Sequence, residues 1–258
     1  DVDSSLLYFC RKVAERHTVA LSGECADEVF GGYPWFERSE LLEADTFPWC
    51  PDLEFRRAVV KPELWESLQV EDYVQARYQQ SLAEMPDLPG EALWERRRRE
   101  VGWLSLNWFM STLLDRKDRM SMAAGLEVRV PFCDHHLVEY VWNIPWAMKA
   151  MNGQRKQVLR DAAEGLLPEE LLRRPKSPYP KTHDPLYEQL VRARLLTILD
   201  DRDAPIHSLV DEKALRAGLL SDAGDYGKPW FGQLMAGPQM LAYLIQINEW
   251  MSRYQLTV

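Results

Sequence analysis

One short run, Thr18-Val19-Ala20-Leu21, is the clear strand signal in a chain whose remaining apolar periodicity is helical. Its β-branched and apolar residues, closed by Ser22-Gly23, read as a parallel strand buried between helices. A lone strand leaves its backbone donors and acceptors unpaired on both edges, so it must find partners. The expectation is that these lie upstream of Asp1, or that the run is no strand. Elsewhere the pattern is helical. Leu6, Leu7, Cys10 and Val13 share a helix face within residues 4–17, and Asp3 or Ser4 can cap its start. "ADEVF" is a short helix that Gly31-Gly32 ends. Further helices are expected over about 61–68, 70–85, 91–113, 134–143, 155–165, 183–200, 209–219 and 230–254. Breaks fall at Pro86, Pro89, Pro131, Pro145, Pro168, "RRPKSPYPK" and "GDYGKPW". "ERRRRE", residues 95–100, reads as a solvated helix face laced with acidic neighbours. The fold class is mostly α with a residual parallel strand.

Composition narrows the partners. A net charge of -9 argues against a general nucleic-acid binder, which carries a basic surplus. Apolar residues make up 46% of the chain, enough for a core. Stretches such as "MLAYLIQI" fall well short of the roughly 20 apolar residues that span a bilayer, so no membrane is expected. "DVDSSLLYFC" has neither the basic region nor the cleavage site of a signal peptide. Cys10, Cys25, Cys50 and Cys133 are scattered without metal-ligand spacing and read as reduced thiols in a cytoplasmic protein. The sequence opens on Asp, mid-pattern, so a piece of a longer protein is expected.

The chemistry gathers in "LSGECADEVFGGYPW", residues 21–35. A strand that ends in Ser-Gly and turns into a helix is a recurrent phosphate site, because the helix start presents free N–H groups. Gly23 permits close backbone approach and Ser22 offers a hydroxyl. Glu24, Asp27 and Glu28 fall on one helix face, where like charges repel unless a cation joins them. Mg²⁺ held between carboxylates and substrate phosphates would make the crowding reasonable, and a remaining carboxylate could act as a base. The competing reading is that Asp27 and Glu28 only complement a helix dipole. Two basic segments favour the phosphate reading. In "LLDRKDRMSMAAGLEVRVPFCDHH", Arg116, Lys117 and Arg119 cluster with Asp115 and Asp118, before an extended "VRVPF". In "RRPKSPYPK", three prolines stiffen a loop that presents Lys176 and Lys181. His135 and His136 follow Asp134 at a helix start, where capping is commoner than metal ligation.

"LSGECADEVFGGY", "DRKDRMSMAAGLEVRVPFCDHHLVEYV", "NGQRKQVLRDAAEGLLPEELL" and "RRPKSPYPKTHDP" together resemble the synthetase domain of glutamine-dependent asparagine synthetases. The resemblance is specific over roughly residues 1–190 and looser beyond. It implies an α/β adenine-nucleotide α-hydrolase-like (ATP-pyrophosphatase) fold, of which residues 1–258 are the C-terminal portion. It also implies adenylation of the aspartate side chain by MgATP, then attack by ammonia that a separate N-terminal glutaminase domain releases. The motifs give Ser22 and Gly23 nucleotide contact, and Glu24 formation and aminolysis of the adenylate. They give Asp27 the pyrophosphate and Mg²⁺, and Lys176 the departing phosphates. Arg119 stands where many relatives carry another basic residue of the ATP site, and Arg129, in the "VEARVPF"-like motif, is assigned to substrate binding. Cys25 replaces the usual Gly or Ala. The Ser-Gly-Gly-x-Asp-Ser-Ser pyrophosphate loop and the glutaminase cysteine are absent from the sequence, so this stretch alone is expected to be inactive. A ligase for another carboxylate, a β-lactam-forming relative, a non-catalytic binding module and a homodimer remain open.

Overall fold

Val19–Leu21 (β1) finds its partner within the chain. In the computed structural model it pairs in parallel with Glu127–Arg129 (β2), Val19 opposite Glu127, Ala20 opposite Val128 and Leu21 opposite Arg129. The expected upstream partner is therefore not needed for the pairing: the extended "VRVPF" segment overlaps β2. Nor is β1 buried between helices, since Val19 is 40% and Leu21 75% exposed. Side chains alternate along a strand, so these two share one face, and that face is open.

The structure describes residues 2–51, 53–150, 153–177, 184–218, 220, 229–232 and 234–258. The helices in chain order are α1 (Val2–Ala14), α2 (Ala26–Phe30), α3 (Ser39–Leu42), α4 (Glu54–Arg57), α5 (Pro62–Leu68), α6 (Val70–Ala83), α7 (Leu93–Leu104) and α8 (Met110–Ala123). After β2 follow α9 (His135–Trp142), α10 (Trp146–Lys149), α11 (Gln157–Ala162), α12 (Glu169–Leu172), α13 (Pro185–Asp200), α14 (Glu212–Ala217) and α15 (Gly237–Tyr254). Lys181 with the rest of residues 178–181, and most of the "GDYGKPW" break, lie outside the described residues. None of the described helices is long and apolar enough to cross a membrane.

The chain divides into two compact units. One comprises Val2–Pro48 and Tyr78–Ser177. In it α1 and β2 both pack on α8. The helix that the sequence suggested for 91–113 runs on: α7 and α8 are joined by one π-helical turn, Ser105–Phe109. Ser105 sits at that turn, its hydroxyl donating to the Val101 carbonyl (2.7 Å) and accepting from the Trp35 indole (3.4 Å). Side-chain bonding to a carbonyl one turn back competes with regular helical bonding, which suits a register change. Trp35 and Phe36 are buried against this helix, Trp35 lying 5.1 Å from the Phe109 ring and 4.2 Å from Tyr33. The "ERRRRE" run is less solvated than its composition suggests. Arg97 reaches the Leu42 and Ala44 carbonyls and the Tyr78 hydroxyl, while Arg99 is paired with Glu91 and donates to the Pro86 carbonyl. Their apolar stems lie along the unit while their heads find acceptors, which a linear charge pattern does not reveal.

The other unit comprises Trp49–Arg77 and the described residues after Pro178. Its core is α13 against α15, where Leu195, Ile206 and Leu241 are fully buried. Asp184 caps α13 by accepting the Leu186 N–H (2.9 Å), with Pro185 at the first helical position. Two helices are shorter than expected. Asp211 caps α14, its carboxylate accepting from the Ala214 N–H, and α15 starts only at Gly237, because Phe231 and Met235 pair antiparallel just before it.

Gly31 ends α2 at φ +72°, and a methyl there would overlap the Trp146 indole. Gly125 has a similar φ of +69° but open space around it. Gly125→Ala should cost about 1–2 kcal/mol from backbone strain alone. Gly31→Ala should cost a further ~1–3 kcal/mol from overpacking. Urea unfolding of both variants checks this; equal costs would mean that Trp146 does not restrict the turn.

Candidate functional site

The site begins where β1 ends. The ladder runs one step past the strand, Ser22 N–H donating to the Arg129 carbonyl at 2.9 Å. Ser22 Oγ then accepts the Glu24 N–H (3.4 Å), and Gly23 has open space where a Cβ would stand. Cys25 takes φ +74°, a left-handed conformation that glycine reaches freely and that costs other L-residues about 1–2 kcal/mol. This turn lets α2 start at once and throws its carboxylates in different directions.

Each of the three carboxylates meets a different partner. Asp27 pairs with Lys156 at 2.8 Å and with Lys176. Lys176 also lies over the Tyr33 ring, 4.5 Å from its centre. Burial resists ionisation of Asp27, but the Lys176 and Lys156 ammoniums outweigh it and hold the carboxyl below the usual aspartate range. Glu28 is buried and accepts the Tyr33 hydroxyl at 2.6 Å. Burial raises its pKa, with the Tyr33 bond acting in the opposite sense, and burial beside Glu28 raises that of Tyr33. Glu24 faces Lys117 across 3.7 Å. Burial raises the Glu24 pKa, only partly offset by Lys117 and Arg116. Lys117 is itself buried, its ammonium donating to the Val128 carbonyl at 3.2 Å. Gly32 completes the packing: a side chain there would overlap Asp27 Oδ1.

Ser22, Gly23 and Glu24 thus stand on one turn, with Asp27 one helical turn on and Lys176 brought to it from far along the sequence. Arg119 and Arg129 are not drawn into this cluster. Arg119 binds Asp115 on the outside of α8, 71% exposed, and the Arg129 side chain binds Glu127 at 2.7 Å. Arg129 meets the site through its carbonyl. Lys156, Lys117 and Tyr33 are the members that site assignment from sequence missed. Lys156 lay in the quoted "NGQRKQVLRD" segment and Tyr33 in the opening stretch, but no spacing rule ties either to Asp27. Beside Asp27 is a hollow of about 320 Å³ whose lining includes Arg155, Lys156, Arg160, Arg174 and Lys176. It is basic in a chain of net negative charge, which suits a polyanion. The donor chemistry also suits a divalent cation. Asp27 Oδ1 and Glu24 Oε2 are buried carboxylate oxygens each matched to an ammonium, Lys156 at 2.8 Å and Lys117 at 3.7 Å, so a cation here would exchange with those contacts. Asp134, His135 and His136 bring ligand atoms within 4.8 Å of one another. They are exposed, and Asp134 caps α9 by accepting from His136 N–H at 3.0 Å, the capping role the sequence favoured.

Residues 1–252 match the family model described as asparagine synthase. The whole chain is 50% identical to asparagine synthetase [glutamine-hydrolyzing] 3 of Bacillus subtilis, covering 42% of that protein. Over 67% of the chain it is 31% identical to asparagine synthetase [glutamine-hydrolyzing] 1 of the same organism, covering 32% of it. A shorter match, 45% identical over 67 residues, is to the asparagine synthetase [glutamine-hydrolyzing] of Mus musculus. The chain thus spans less than half the length of each.

Because the folded Asp27 pKa is depressed, its ion pairs stabilise fully above the unfolded value near 3.9 and lose their effect as pH falls through the lower folded value. Wild type should be more stable than Asp27→Asn near pH 7, with the gap narrowing towards about pH 3. Urea midpoints at the two pH values measure it; a gap of constant size would show that the Asp27 charge does not stabilise the fold.

Proposed function

The chain belongs to the asparagine synthase family, and from that premise we propose that it forms the adenylating part of a glutamine-hydrolysing asparagine synthetase. The observation that carries this reading is Asp27 held between Lys156 and Lys176, one turn beyond a strand-end Ser22-Gly23-Glu24. The substrates would be ATP and aspartate, on an adenine-nucleotide α-hydrolase-like sheet. A glutaminase domain in the additional length that the relatives possess would supply ammonia. Residues 1–258 would be the C-terminal portion of the synthetase domain. A cytoplasmic setting belongs to the same reading.

In the reaction, an oxygen of the aspartate side-chain carboxylate attacks the α-phosphorus of ATP, and the bond from that phosphorus to the bridging oxygen breaks. Pyrophosphate leaves and β-aspartyl-AMP remains. Ammonia then attacks the acyl carbon, AMP departs with the shared oxygen, and a proton is lost from nitrogen. Lys156 and Lys176 would neutralise the charge that grows on the leaving pyrophosphate, the kind of fixed electrostatic contact that contributes most to such steps. Gly23 would let the backbone approach the nucleotide, and Ser22 would donate its hydroxyl. The raised Glu24 pKa suits a group that accepts the proton from the attacking nitrogen and gives it up again. Asp27 and Glu24 would hold Mg²⁺ by exchanging lysine contacts for it, and when bound it would neutralise phosphate charge. On this reading Arg129 contributes its carbonyl to the turn, and the Arg119 side chain would have to leave Asp115 to reach phosphate.

In the longer protein that carries this segment, Lys156→Met and Lys176→Met should each lower aspartate-dependent ATP–pyrophosphate exchange by about 10²–10³-fold. Asp27→Asn should do the same, with the fold retained. Exchange at wild-type rates in the folded variants would overturn the adenylation reading.

A further inference from the structure

Within the unit that contains α2, a second cavity of about 360 Å³ is lined by Glu28 and Val29 of that helix but not by Asp27. It is therefore separate from the basic hollow. Its lining includes Lys149, the last residue of α10, which is only 8% exposed. Among the described residues the Lys149 ammonium has no hydrogen bond and no ion pair. Burial alone acts on it, pushing its pKa down to about 8. An ammonium on a side chain this largely buried and without a partner is costly, and natural structures normally supply one.

Arg98 lines the same cavity with a second unsatisfied donor. Its Nε is buried without a hydrogen-bond partner, and its guanidinium lies over the Trp94 and Trp146 rings at 5.5 and 5.9 Å. Most of the lining carboxylates are already engaged. Asp87 pairs with Arg96 at 3.0 Å, Glu91 with Arg99, and Glu28 accepts from Tyr33. Glu95 and Glu28 have no cation within ion-pair distance among the described residues, while Arg98 donates from Nη1 to the Trp94 carbonyl (3.1 Å) and keeps only its Nε without an acceptor. The remaining wall is largely apolar, with the Trp142 and Trp146 indoles presented to the space. Apolar walls, a few convergent donors and a volume near the lower end of ligand pockets are the marks of a small-molecule site.

We propose that this cavity is a second ligand site, taking a small carboxylate with an apolar or aromatic body. Its anionic end would meet Lys149 and Arg98, and its body would lie against Trp142 and Trp146. A monoanion fits better than phosphate, because a dianion with no apolar part would desolvate against indole and aliphatic walls without compensation.

Benzoate, benzyl alcohol and inorganic phosphate, titrated by calorimetry and saturation-transfer NMR into the purified longer protein that carries this segment, test this. Benzoate should bind saturably, and benzyl alcohol and phosphate at least tenfold more weakly. Lys149→Met should weaken benzoate at least tenfold, and it should melt no lower than wild type, since it removes an unpaired buried charge. Arg98→Met should also weaken benzoate, whereas Lys176→Met should leave its affinity unchanged. The proposal is overturned by absence of saturable benzoate binding, by phosphate binding as tightly as benzoate, or by a folded Lys149→Met that binds benzoate like wild type.

Discussion

The three-residue parallel ladder between β1 and β2 is the constraint from which the site follows. Parallel pairing demands a long crossover, and here the crossover includes the α7–α8 helix. Because Ser22 N–H is claimed by the Arg129 carbonyl, the point at which the chain leaves the sheet is fixed. The same ladder positions Lys117: its ammonium is anchored on the Val128 carbonyl of β2 and so faces Glu24 on the turn after β1. A slip of one residue would turn every side chain of β1 to the opposite face and move this pair apart.

Charge compensation then decides the shape of the turn. Three carboxylates within five residues would repel if they shared a helix face. The left-handed Cys25 sends Glu24 one way, while α2 divides Asp27 and Glu28 between the basic hollow and the Tyr33 hydroxyl. The acids thereby take two electrostatic characters: one is held ionised by two ammoniums, and two are pushed towards the neutral form by burial. Groups whose environments move their pKa values apart are suited to different tasks in one site.

Much of this was legible locally. The positions of β1, α2 and its Gly31 cap, α5, α6, α9 and α13 follow from turn chemistry, capping residues and helical spacing. The motif around Ser22-Gly23-Glu24 and the lysine loop point to a family by themselves. Three features escaped, each because it depends on distant contacts. The partner strand shows in the sequence only as an extended piece, because three residues carry too weak a periodic signal. The arginines of "ERRRRE" looked solvated because their acceptors, the Leu42 and Ala44 carbonyls and Tyr78, come from elsewhere in the chain. Arg119 stood among the site residues on motif alignment, but Asp115, one turn earlier on the same exposed face, holds its side chain there in the structure.

The sequence by itself determined which residue types could perform the chemistry, where the helices start and stop, and to which family the motifs point, since these depend on neighbours a few positions away. Only the tertiary structure decided that Lys156 and Lys176 converge on Asp27, that Lys117 faces Glu24, and that Lys149 is buried without a counter-charge. The reason is physical: a salt bridge or a desolvated ammonium is defined by distance and dielectric in space, and no linear spacing encodes either.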